Sequence, residues 1–143
     1  MKAIREAILL LLLAVVLGGV TQWIYPKPVQ TREIAHDADA LTIDDVSRLS
    51  TPIRWIDARS KAAYEAGHIP AALLLNEDSW EQLLPDLIAS YAPDMTLVVY
   101  CDSNQCDASK QVARRLREEI GLHNVFTLEG GWQAWKAHAA EKR

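Results

Sequence analysis

Cysteine is nearly absent from this chain: there are two in 143 residues, at positions 101 and 106. A framework of disulfides spread along the sequence is therefore excluded. The pair is a local redox couple, a reactive thiol with a companion, or half a metal site. Two thiols lack two further ligands, and His68 and His123 stand at no helpful spacing, so no metal is expected. No other cofactor is expected either. Positive charge is also short: 15 Lys and Arg face 19 Asp and Glu, for a formal charge of −4. Lys2, Arg5, Lys27 and Arg32 stand against Glu6 in residues 1–32, so the remainder is clearly acidic. The basic cluster around Arg114 is diluted by Glu118 and Glu119, and nucleic acid is not an expected partner.

Polar residues are scarce at the start. Ala7 to Val20 is apolar or glycine throughout, and only Thr21 and Gln22 interrupt the run to Tyr25. That is close to the roughly 20 residues a helix needs to cross the hydrocarbon of a bilayer. Lys2 and Arg5 precede it, Trp23 and Tyr25 fall where an interfacial aromatic belt would lie, and Pro26 and Pro28 end it. No small-x-small cleavage site precedes Thr21, and no cysteine is present for a lipid anchor. Residues 1–25 are expected to be an uncleaved membrane anchor, contacting lipid through residues 7–25; a cleaved signal peptide is the alternative. The basic start favours an extracytoplasmic domain, against which Lys27 and Arg32 count. Residues 26–40, with two prolines, charges and no period, read as a linker in which His36 is solvated. Residues 41–143 are enough for one small domain.

Within that domain apolar runs alternate with helical patterns. Thr42 with Asp45 starts a helix carrying Ile43, Val46 and Leu49. Ile53 to Ile56 is a strand ending at Asp57; Ser60 caps a short helix, Lys61 to Ala66, which Gly67 stops. His68-Ile69-Pro70 is a turn, and Leu73 to Leu75 a short strand. Ser79 with Gln82 reads as a capping box before the stripe Trp80, Leu83, Leu84, Leu87 and Ile88, with Pro85 as a possible kink. Leu97 to Tyr100 is a buried strand, and Val112, Leu116 and Ile120 recur every four residues on the helix after it. Asn124 to Leu128 is a further strand. Gly130-Gly131 is a turn before a helix carrying Trp132 and Trp135.

This alternation argues an α/β fold with a mainly parallel central sheet covered on both faces. Ligands in such folds gather at the carboxyl ends of strands. Asp57, Cys101 and Glu129 each stand at such an end. Cys101 closes a buried strand, and the loop Asp102-Ser103-Asn104-Gln105-Cys106-Asp107 leads into a helix, so unpaired backbone N–H groups there could converge on an anion. Cys101 is the candidate nucleophile. Loop N–H groups favour its thiolate, and Asp102 and Asp107 oppose it. Cys106, five residues on, is within reach of a disulfide if the loop folds back.

Four segments together resemble the rhodanese-like, or sulfurtransferase, family over residues 41–140. They are Trp55-Ile56-Asp57-Ala58-Arg59, Gly67-His68-Ile69-Pro70-Ala71-Ala72, Val99-Tyr100-Cys101, and Gly130-Gly131-Trp132-Gln133-Ala134-Trp135. The second departs from the family pattern, with Ala71 in place of the usual glycine. The resemblance implies a three-layer rhodanese-like fold and a persulfide on Cys101, with residues 102–107 cradling the sulfur and its donor. Asp57 and Arg59 would tie the strand end to neighbouring loops as a charge pair, and His68 would serve its turn. The family loop, Cys-x-x-Gly-x-Arg, is altered here: Asn104 takes the glycine position, Cys106 the arginine position, and Asp107 follows. That weakens thiosulfate as donor and equally argues against phosphatase chemistry.

Two functions follow as expectations. One is sulfur transfer or thiol–disulfide exchange through Cys101, with Cys106 as resolving partner and a small sulfur donor or a thiol-bearing protein as the other reactant. The other is a tethered, non-catalytic binding module in which Cys101–Cys106 is a structural staple. Trp132 and Trp135 are expected to pack in the core, Glu129 to lie at the site rim, and Arg114 and Arg115 to be solvated.

Overall fold

The computed structural model describes residues 39–103 and 106–142. The expected membrane span, most of the linker with His36, and the loop residues Asn104 and Gln105 lie outside the described residues. Among the described residues no helix is long and apolar enough to cross a membrane.

The elements run β1 (Ala40–Leu41), α1 (Ile43–Arg48), β2 (Ile53–Asp57), α2 (Lys61–Ala66), β3 (Leu73–Leu74), a 3₁₀ turn (Glu77–Ser79), α3 (Trp80–Ser90), β4 (Thr96–Tyr100), α4 (Ala108–Glu118), β5 (Val125–Leu128) and α5 (Gly131–Glu141). The five strands form one sheet in the order β1-β5-β4-β2-β3, and every pairing is parallel. Parallel neighbours need crossovers, which the helices supply on both faces. β4 lies at the centre and is buried at all five residues. Its alternation divides the core. Leu97 and Val99 join Trp80, Leu87, Val112, Ala113 and Leu116 beneath α3 and α4. Val98 and Tyr100 join Val46, Ile69 and Leu128 on the face of α1 and α5, with Trp55, Tyr64, Trp132 and Trp135 packed around them. The two tryptophans of α5 are therefore half-buried packing groups, as their spacing suggests.

Local signals account for most boundaries. Thr42 and Asp45 form a reciprocal capping box: Thr42 Oγ1 accepts the Asp45 N–H and Asp45 Oδ2 the Thr42 N–H, each at 3.1 Å. Ser60 Oγ accepts the Ala63 N–H at the start of α2. The expected capping box at Ser79 is not formed, because the Ser79 side chain makes no cap bond. Asn76 instead accepts the Ser79 N–H at 3.0 Å, so the chain enters a 3₁₀ turn three residues earlier. No periodicity marks β1: a two-residue edge strand is too short to carry any, and only its pairing with β5 defines it.

Candidate functional site

The β2–β4 register runs from Ile53 beside Thr96 to Asp57 beside Tyr100. It sets the carboxyl ends of the two central strands level, and Cys101 leaves β4 at that level. Cys101 is 4% exposed. Its sulfur is bonded to that of Cys106 across a Cα–Cα separation of 6.1 Å, inside the usual disulfide window of roughly 4.4–6.8 Å. Cys106 is half-buried, and its N–H donates to the Ser103 carbonyl at 3.2 Å. The sequence left open whether the two cysteines pair, and here they are joined.

The loop is seated on α5. The Cys101 carbonyl accepts the Trp132 N–H at 2.7 Å, and the Asp102 carbonyl accepts the Gln133 N–H at 3.3 Å. Unpaired first-turn donors of a helix are thereby satisfied by the loop's own backbone. Gly131, at φ +54°, packs so closely that a Cβ there would collide with the Cys101 carbonyl. This contact is why glycine stands at the start of α5.

Beneath the loop lies a buried charge network. Asp57 is fully buried, and the Arg59 side chain is 4% exposed. Arg59 gives Asp57 its backbone N–H at 2.9 Å, Nε at 3.0 Å and Nη2 at 2.7 Å, and Nη2 also reaches the Gly67 carbonyl at 2.6 Å. The remaining amino group, Nη1, lies 3.4 Å from Asp102 Oδ1. The Tyr100 hydroxyl donates to Asp57 Oδ2 at 2.7 Å and accepts the Ile69 N–H at 3.1 Å. The Arg59 guanidinium lies 4.9 Å from the Trp132 ring centroid and 5.6 Å from that of Tyr100, within cation–π range. Burial pulls the Arg59 pKa down, but the bonds and attraction to Asp57 outweigh it and the net shift is upward. Burial first, then the bond to Asp57, holds the Tyr100 phenol far above its ordinary range.

The expected Asp57–Arg59 pair is therefore present, and it reaches further than its own strand end. His68 is exposed at its turn, with Nδ1 3.0 Å from the Tyr64 carbonyl and its ring stacked on Tyr64. At Ala71 the backbone has φ +62°. Ile69, Pro70, Ala71 and Ala72 close a turn through an Ala72 N–H to Ile69 carbonyl bond of 2.9 Å, with a positive φ at the position where type II turns favour glycine. Ser103 and Asp107 are exposed, and Asp107 makes no side-chain bond to the start of α4. Glu129 directly follows β5, at the same sheet end. Arg115 is not solvated as expected: it lies 4.0 Å over the Trp80 ring and pairs with Glu77 at 2.9 Å and Glu119 at 3.0 Å. Among the described residues no group of three or more His, Cys, Asp or Glu could hold a metal ion.

Sequence reasoning missed two site residues, Tyr100 and Asn76. A hydroxyl at the end of a buried strand must find a partner, and that signal was available for Tyr100. Asn76 donates Nδ2 to the Arg59 carbonyl at 2.9 Å, and nothing in its local sequence announces the contact.

The rhodanese-like domain pattern matches residues 42–138. The chain belongs to the rhodanese-like family. Among its relatives, the rhodanese-like chain is 28% identical over 86 residues to a thiosulfate sulfurtransferase GlpE of Pseudoalteromonas translucida, covering 60% of this chain and 75% of that protein. It is 31% identical over 83 residues to the GlpE of Shewanella oneidensis, covering 58% and 75%. The rhodanese-like domain of a protein from Anabaena sp. superposes with a TM-score of 0.51 at 26% identity, covering 66% of this chain and 89% of that one. A protein from Bacillus halodurans, at 22% identity, shares the fold with a TM-score of 0.57, covering 70% and 72%.

Proposed function

We propose that the protein is a membrane-anchored rhodanese-like enzyme. In this reading it accepts sulfur on Cys101 and uses Cys106 as the resolving thiol. The observation that carries the reading is the Cys101–Cys106 bond itself. The sulfur at the strand end is within bonding reach of a second thiol, so a persulfide formed there can be discharged within the loop. The chemistry of the GlpE relatives, as their name gives it, supports sulfur acceptance.

The Cys101 thiolate attacks the sulfane sulfur of a donor, such as thiosulfate, forming a persulfide and expelling sulfite. An acceptor thiolate then takes the outer sulfur and restores Cys101. Alternatively, the Cys106 thiolate attacks the inner sulfur, expels hydrosulfide and leaves the Cys101–Cys106 disulfide. The sulfane sulfur is then reduced by two electrons and the dithiol oxidised by two, and an external thiol returns the pair to the dithiol. An extracytoplasmic domain held by residues 7–25 agrees with a disulfide that persists between turnovers.

Sulfide release from thiosulfate by the reduced full-length protein tests this. Wild type releases sulfide, Cys101→Ser releases none, and Cys106→Ser releases it only when an external thiol is added. Equal release from all three would refute the assignment. A second reading, a staple without chemistry, is favoured by the burial of Cys101. It predicts a disulfide that neutral thiols leave intact.

A further inference from the structure

We infer that Asp102 biases the Cys101–Cys106 pair toward the disulfide, as a positioning residue whose carboxylate is fixed by Arg59; this rests on the thiol–disulfide reading above. The single buried guanidinium of Arg59 is shared by two carboxylates. Asp57 takes three of its bonds, two from Nε and one from Nη2, and is fully buried. Asp102, with its side chain 59% exposed, takes only Nη1, at 3.4 Å. One positive charge is spent on Asp57, so the carboxylate of Asp102 is under-neutralised.

That carboxylate belongs to the residue next to Cys101, with Cα atoms about 3.8 Å apart. That backbone spacing is well inside the roughly 8 Å over which salt leaves charges coupled. The freedom of Asp102 is limited at both ends: the main chain is pinned by the Cys101 and Asp102 carbonyls on α5, and the side chain is drawn toward Arg59. Other charged groups at this end of the sheet include Asp107 before α4 with Lys110 and Arg114 beside it, Glu129 after β5, and Lys136 of α5, which lies 5.9 Å from the Trp132 ring centroid.

Reduction begins when a thiolate attacks the half-buried Cys106 sulfur. The S–S bond breaks, its electron pair goes to Cys101, and a second thiol releases Cys106 as the external disulfide forms. The departing Cys101 thiolate emerges beside the Asp102 carboxylate, and like charge opposes it. Asp102 thus slows opening and shifts the equilibrium toward the closed pair.

Asp102→Asn is the informative change, because its amide oxygen still accepts the Arg59 Nη1–H while the charge is gone. Two measurements are made on the full-length protein. The first is equilibration of the disulfide with glutathione buffers. The second is the pH profile of Cys101 alkylation by neutral iodoacetamide in a Cys106→Ser background. Asp102→Asn is expected to raise the equilibrium constant for reduction about three- to tenfold, the upper figure being about 30 mV. The alkylation profile moves to lower pH, and Asp102→Glu restores wild-type values. Unchanged values in Asp102→Asn overturn the inference, as do equal shifts in Asp102→Asn and Asp102→Glu, which would mark a purely structural role. A disulfide that no thiol opens in any variant overturns both this inference and the resolving role of Cys106.

Discussion

The Trp132 backbone N–H donates to the Cys101 carbonyl at 2.7 Å, tying the cysteine loop to the first turn of α5. The same tryptophan carries the Arg59 guanidinium on its ring at 4.9 Å. Loop, helix start and buried ion pair are therefore joined by direct contacts.

Gly131 is the tightest point of that junction. A Cβ at this position runs into the Cys101 carbonyl, and φ is +54°. Gly131→Ala is expected to destabilise the domain by about 1–3 kcal/mol and to loosen the disulfide loop. Urea unfolding reads the first effect, and the rate of disulfide opening by dithiothreitol the second. Wild-type values for both would contradict the packing described.

Asp57 and Arg59 are each buried and each the other's main partner. Asp57→Ala leaves a guanidinium beneath the loop with only the Gly67 carbonyl and Asp102. Breaking one side of a buried pair costs about 3–5 kcal/mol, and that loss is expected in chemical denaturation. Loss of activity in this variant should follow loss of folded protein; an inactive variant of full stability would instead place Asp57 in the chemistry.

Tyr100 supplies a pH test. Its folded pKa lies well above the ordinary phenol value of 10.0. Below pH 10 both states keep the proton and its contribution is complete. Above pH 10 the unfolded chain ionises while the folded one does not, so stability falls as pH rises toward the folded pKa. Tyr100→Phe should show a shallower alkaline decline. It should also lose about 1–3 kcal/mol at neutral pH, because Asp57 and the Ile69 N–H each lose a partner. Unfolding free energies from pH 7 to 11 decide it, and parallel curves would count against the Tyr100–Asp57 bond.

Ala71 adopts φ +62° where its turn favours glycine. Ala71→Gly is expected to stabilise the domain by roughly 0.5–1 kcal/mol, since relief of left-handed strain exceeds the entropy of the added glycine. A lower midpoint of thermal unfolding would show that the strain is absorbed elsewhere.

Local and periodic features were legible in the sequence. The stripe on α4, the Thr42–Asp45 box and the strand ending at Cys101 all depend on residues a few positions apart. The Asp57–Arg59 pair followed from the family resemblance, and the spacing of Cys101 and Cys106 allowed a disulfide without requiring one. What was not legible depends on distant segments. Arg59 reaches Asp102, 43 residues on, only because β2 and β4 pair in register. Trp132 meets Cys101 because β5 inserts beside β4 and returns the chain to the same sheet end. Arg115 reads as a surface charge until Trp80 and Glu77 are brought under it. Asn76 displaced the expected Ser79 cap because a neighbouring turn offered an earlier acceptor.

The central claim is that sulfur resides on Cys101 and leaves through Cys106. Mass spectrometry of the reduced full-length protein after exposure in turn to thiosulfate and to an alkyl persulfide tests it most directly. Cys106→Ser should carry one extra sulfur atom, mapped to Cys101, and wild type should instead return to the disulfide as sulfide appears. A Cys106→Ser protein of unaltered mass, beside a wild type that neither gains sulfur nor releases sulfide, would contradict the account.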